Sequence, residues 1–198
     1  PRINPKASGM LRYGGTYPGA YLLRRGLFLP RELSALIGKD QAEEGLRRLQ
    51  PLRYISSQLT GHSSRDTAHR SPFTVHSRVA TLESTLYMRN QLLRDTDWAS
   101  MAHSLEIRTP LVDATLLRKL AGPLATATSN NHKQLLAKCP AKPLPDEIAN
   151  RAKSGFTTPI SNWQQRSDAT QTWRAKPLLT RQQCPWARRW ASVVVDHQ

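Results

Sequence analysis

Cysteine is nearly missing from this chain: Cys139 and Cys184 are the only two in 198 residues. Neither belongs to a CxxC pair or a disulfide framework, so a stapled secreted scaffold is not indicated and reduced thiols are expected. Long apolar runs are missing too. No stretch approaches the ~20 residues that cross a bilayer, and no apolar signal segment opens the chain. A soluble cytoplasmic protein is expected. There is no Walker A sequence and no dinucleotide GxGxxG, so no glycine-rich loop here cradles a triphosphate by itself. Ser100 and Ser104 lack the G-x-S-x-G elbow of a hydrolase nucleophile. His103 has no second His or Cys at ligand spacing, which argues against zinc. His62, His69 and His76 recur every seven residues, but through a Ser-rich stretch with no other sign of a metal site. Alternating strand patterns are almost absent, so the chain reads as mainly α.

What is present is basic charge. Lys and Arg number 29 against 14 Asp and Glu, a net charge of +15. Such a surplus suits a polyanionic partner or a nucleotide substrate. It equally suits a solvated, arginine-rich surface. The arginines are scattered, as at Arg24-Arg25, Arg47-Arg48 and Arg188-Arg189, and no run reaches five like charges, so a basic tail is not indicated. Hydrophobic residues make up 38%, which permits a core but a thin one.

Along the chain, residues 1–20 are loop-like and a helix runs from Tyr17 toward Leu27. Pro30-Arg31-Glu32-Leu33 reads as a helix start and Gly38 as its stop. Residues 40–49 form another helix, with Pro51 beyond. Residues 56–72 are the most polar stretch and are expected to be a mobile loop. From Thr74 to Leu93, Val79, Leu82, Leu86, Asn90 and Leu93 fall at α-helical spacing. A further turn covers Trp98–His103. Pro110 then keeps Thr109 out of the helical region, so 105–109 is extended. Asp113 is placed to cap a helix over Val112–Leu120. Residues 121–131 read as loop, Lys133–Lys138 as a short helix, and Pro145 starts another, which Ser154-Gly155 stops. Helix is expected again over 160–174.

Several charged residues stand in apolar company. Glu106 and Arg108 are flanked by Leu105, Ile107 and Leu111 and share a face if extended. They form a buried structural ion pair or meet a substrate, and the residues alone leave both open. Asp95 and Asp97, joined by Arg94, suit Mg²⁺ or a cationic substrate group, or are solvated helix-end charges. Lys153, beside Gly155, reaches a phosphate as a point charge or is solvated.

In order, these segments resemble the glutamine-hydrolysing asparagine synthetase family. Asp97-Trp98-Ala99-Ser100-Met101-Ala102-His103-Ser104-Leu105-Glu106-Ile107-Arg108-Thr109-Pro110-Leu111-Val112-Asp113 is similar to one long motif of its synthetase domain. Lys133, then Leu144-Pro145-Asp146-Glu147-Ile148, Arg151, Lys153, Gly155-Phe156, Pro159 and Trp163 are similar to another. The match is good over residues 75–165 and loose over 10–50.

The resemblance implies a fold and a reaction. The fold is the helical carboxyl-terminal portion of an α/β PP-loop synthetase domain, with few or no strands in this stretch. ATP and Mg²⁺ adenylate the carboxylate of aspartate or another acid, and ammonia derived from glutamine displaces AMP. Lys153 and Glu106 are then the catalytic candidates. Arg108, Asp95 and Asp97 bind the substrate or the acyl-adenylate.

Three elements of the family pattern are missing: the leading cysteine nucleophile, the S-G-G-x-D-S pyrophosphate loop, and the S-G-x-G-x-D-E-x-F-G-G-Y motif. Trp98 also stands where many relatives carry Arg. The expected picture is therefore a fragment over 1–198 without the glutaminase domain or the PP-loop, inactive alone, and completed by a missing amino-terminal segment or a homo-oligomer. Without a sheet beneath them, apolar residues such as Val79, Leu82 and Leu86 are expected at the surface. The alternative is a non-catalytic basic module binding nucleic acid or a protein partner, or an inactive truncated gene product. Nucleic acid and membrane are not the favoured partners.

Overall fold

The computed structural model describes residues 6–60, 74–126, 132–152, 154, 158–166, 171–181 and 184–197. Among these no residue is in a strand. The chain divides into two units, one of Pro1–Ile107 with Pro159–Gln198, the other of Arg108–Thr158.

The first unit begins with a short 3₁₀ turn, Ala7–Gly9, and α1, Met10–Tyr13. Thr16 then caps α2, Tyr17–Arg25, its hydroxyl accepting the Gly19 N–H at 3.2 Å. α3, Pro30–Ile37, opens on a proline whose missing N–H costs nothing there, and Glu32 accepts the Leu29 N–H at 2.7 Å. Gly38 ends α3 at φ +86°, a conformation that favours glycine, and α4, Lys39–Leu49, starts at once. Gln50 takes a left-handed φ of +42°, and Pro51 opens α5, Pro51–Thr60.

Ser56–Thr60, expected at the edge of a mobile loop, thus complete a helix, because Ile55 and Leu59 reach the core. The rest of that expected loop, residues 61–72, lies outside the described residues.

A long helical rod comes next. Its first part, α6, Val75–Leu82, is capped by Thr74, whose hydroxyl accepts the Ser77 N–H at 3.2 Å. From Glu83 to Leu93 the winding is π, and α7, Arg94–Met101, completes the rod. The α-spaced stripe expected through Leu93 holds only in part: Leu82 is buried and Leu86 and Leu93 are half-buried. Asn90, in the π stretch, is exposed.

Two small cores hold this unit together. Tyr21, Ile55 and Leu82 are buried, with Tyr17, Leu22, Leu59 and Leu86 packed around them. The expectation that Leu82 lies at the surface is corrected: α2 and α5 cover it, leaving 1% exposed. Val79 is exposed, as expected, and Leu86 is half-buried. The second core joins Trp173 of a 3₁₀ turn, Leu179 and Val193, with Phe28, Leu36 and Cys184 against them. Val193 belongs to the last helix, α12, Trp186–Asp196. The preceding helix, α11, Ile160–Arg166, is tied to it where the Gln164 amide donates to the Trp186 carbonyl at 3.3 Å. The expected helix over 160–174 is thus shorter, and Thr172–Ala175 is 3₁₀.

The second unit carries a 3₁₀ turn, Pro110–Val112, and α8, Ala114–Thr126, longer than the sequence suggested. Asp113 does cap it, accepting the Leu116 N–H at 2.8 Å. α9, His132–Lys138, and α10, Asp146–Ala149, lie beyond it in the chain. The α10 helix ends well before Ser154-Gly155, where the Asn150 N–H closes on the Asp146 carbonyl at 2.9 Å. Among the described residues of this unit only Ala137 is a buried hydrophobic, while Leu111, Leu117, Leu120, Leu136, Leu144 and Ile148 are exposed. No helix among the described residues is long and apolar enough to cross a membrane.

Candidate active site

The end of the rod carries two of the candidate residues. Asp95 and Asp97 lie in the first turn of α7, and both are exposed. Two residues apart on a helix, they point in different directions. Neither carboxylate makes a hydrogen bond or ion pair among the described residues. Arg94, the first residue of α7, is not their partner. Its guanidinium stacks over the Trp98 ring at 4.3 Å, one turn along. Trp98 is 62% exposed.

The stop of this helix sets the path of the segment after it. The Leu105 N–H donates to the Ser100 carbonyl at 3.0 Å and the Ser104 N–H to the Met101 carbonyl at 3.0 Å. This paired arrangement is a Schellman closure, and it needs a left-handed residue between its two bonds. Ser104 fills that place at φ +56°. Glycine is the usual occupant, so a serine stores strain here, and such strain tends to lie beside functional sites. Ser100 is buried, its hydroxyl donating to the Asp97 carbonyl at 3.0 Å. The closure sends 105–109 off the helix with no regular backbone pairing, and Glu106 sits in that segment. Sequence reasoning placed the break at the proline and missed the turn that precedes it. A Ser in place of Gly carries no turn signal.

Glu106 and Arg108 are both exposed, and each has a polar or electrostatic partner. The buried ion pair, one of the two readings of their sequence, is corrected, since both residues are exposed. Glu106 belongs to the first unit and Arg108 opens the second. Lys153, with Gly155 and Phe156, lies outside the described residues. Lys133 stands in α9.

Among the described residues no three His, Cys, Asp or Glu side chains gather as a metal site. Asp95 and Asp97 alone, facing apart, do not fit a Mg²⁺ cage. The chain also lacks a glycine-rich phosphate loop. The candidate residues that the structure describes therefore form no Mg²⁺ site by themselves.

The ordered motifs find their counterpart in known proteins. The family model described as asparagine synthase matches residues 13–189, and the chain belongs to that family. It is 30% identical over 149 residues to "Asparagine synthetase [glutamine-hydrolyzing] 1" of Bacillus subtilis (strain 168). That match takes in 64% of this chain and 23% of the relative, so the chain spans about a quarter of the relative's length. No solved structure matches.

Proposed function

We propose that this chain supplies the helical part of a site that amidates a carboxylate, aspartate in the first instance, through an acyl-adenylate. The family match over 13–189, reached by motifs in the right order, is the observation that carries this reading.

In the proposed reaction a substrate carboxylate oxygen attacks the α-phosphorus of ATP, and pyrophosphate leaves. Ammonia from glutamine then attacks the acyl carbon, sheds a proton, and AMP leaves. In this reading a further segment supplies the nucleotide loop and its Mg²⁺, since the S-G-G-x-D-S sequence is missing here and no metal cluster forms among the described residues. Lys153 is the cation that offsets charge growing on the phosphates. By the family resemblance, Glu106 and Arg108 belong to the wall beside the intermediate. Asp95 and Asp97 offer carboxylates to the cationic end of the amino-acid substrate.

ATP–pyrophosphate exchange tests the assignment. The isolated chain is expected to show none, and exchange at the rate of a whole synthetase would refute the view that it is part of a site. In a chain joined to its nucleotide loop and glutaminase half, Lys153→Ala should lower exchange by about 10²- to 10³-fold. Glutamine hydrolysis should be unchanged. Full amide synthesis by that variant would remove Lys153 from the reaction.

A further inference from the structure

The rod changes winding twice, into π at Glu83 and back to α at Arg94, and side-chain hydroxyls crowd one carbonyl at the first change. The Thr81 carbonyl accepts two side-chain hydroxyls, from Ser84 at 3.1 Å and from Thr85 at 2.7 Å. Hydroxyls that bond back to carbonyls three and four residues earlier compete with the backbone ladder and bend helices. The π stretch starts within two residues of that carbonyl. A π turn closes over five residues rather than four, so eleven residues of it rotate the downstream helix by about half a turn relative to a continuous α-helix. Asp95, Asp97 and the Ser104 turn all lie beyond it.

The far end of such a rod needs an anchor upstream if it is to point one way. Arg25, in the last turn of α2, supplies one. Its Nε donates to Glu83 Oε1 at 3.0 Å and its Nη2 donates to Glu83 Oε2. The same guanidinium lies over the Tyr87 ring, 3.5 Å from its centroid. Glu83 is the first residue of the π stretch, and Tyr87 is four residues further on. One planar fork thus grips two points of the segment that sets the rotation. Arg24 approaches Glu83 at 3.7 Å but is largely exposed and adds little. Tyr21 of the first core is buried nearby, and burial of that phenol, with the Glu83 charge, pushes its pKa up.

We infer that Arg25 is a positioning residue, whose hold on Glu83 and Tyr87 sets the direction in which the π-wound rod presents Asp95 and Asp97. As a statement about catalysis this rests on the proposed adenylation. As a statement about the rod it does not.

Hydrogen exchange followed by mass spectrometry on this chain separates the two. Arg25→Lys keeps the charge but loses the fork and the stacked plane. Exchange over 83–101 should quicken by about tenfold, while α3 and α4 stay as they were. Tyr87→Leu, which leaves the ion pair, should give a smaller acceleration over the same residues. Unchanged exchange over 83–101 overturns the inference, and so does equal acceleration in α3 and α4, which is general loosening. In the completed synthetase, Arg25→Lys should raise the KM for the carboxylate in pyrophosphate exchange by about tenfold with kcat nearly held. A fall in kcat alone overturns the positioning role. No exchange by the unaltered synthetase overturns the adenylation reading and leaves the hydrogen-exchange result to decide the rod.

Discussion

Arg188→Ala should be among the most damaging single substitutions in this chain. Arg188 in α12 has a side chain 6% exposed, and Glu32 in α3 has one 11% exposed. Arg188 Nη2 donates to Glu32 Oε1 at 2.6 Å, and its guanidinium lies 4.5 Å from the Phe28 ring centroid. The other Glu32 oxygen accepts the Leu29 N–H that opens α3. Truncating the arginine strands a buried carboxylate, which costs about 3–5 kcal/mol. That is a loss of roughly 10 °C in Tm for a chain of this size.

The pair itself is worth less than that figure. Arg188 Nε finds no hydrogen-bond partner among the described residues, so part of the desolvation cost stays uncompensated. The double variant Glu32→Gln with Arg188→Met should therefore recover to within about 1 kcal/mol of the parent. Urea unfolding followed by far-ultraviolet circular dichroism measures all three, with m checked for constancy. A loss below about 1 kcal/mol in Arg188→Ala, or a double variant as unstable as the single, would refute the reasoning.

Other contacts in the structure carry predictions of their own. Lys176 Nζ lies 2.5 Å from Asp196 Oδ1 and holds that carboxyl's pKa below its usual range. A lowered folded-state pKa means the stabilisation is present above about pH 4 and fades as pH falls further. An acid titration of helicity should thus lose its lowest-pH component in Asp196→Asn, and an unaltered profile would count against the contact. Burial pushes the Cys184 thiol up, although Arg188 and Arg189 oppose this, while Cys139 is exposed. Iodoacetamide near pH 8 should therefore label Cys139 first, and equal rates would contradict that. Gly38→Ala meets no neighbour within 4 Å, but at φ +86° it should cost about 1–3 kcal/mol in urea unfolding through backbone strain alone.

Much of the local structure was legible in the sequence because its causes are local. Pro30 with Gly38 bounded α3, and Asp113 capped α8, since a proline, a glycine or a short acid acts within a few residues. The candidate residues were legible as a string of types at fixed spacing from Asp95 to Arg108. Their setting was not. Periodicity at 3.6 residues described Val79 to Leu93 as one α-helix, because a stripe of apolar residues does not report which winding its hydroxyl-bearing neighbours impose. Apolar neighbours around Glu106 and Arg108 suggested burial, but both side chains are exposed.

The sequence by itself determined that the chain is helical, which family it belongs to, and which acids and bases are in play. Those properties depend on residue type and short-range order. Tertiary structure alone decided that Leu82 is buried, that Arg25 grips Glu83 across 58 positions, and that Arg188 reaches Glu32 across 156. Such pairs leave no periodic mark, since each is fixed only when two helices meet and exclude water from between them.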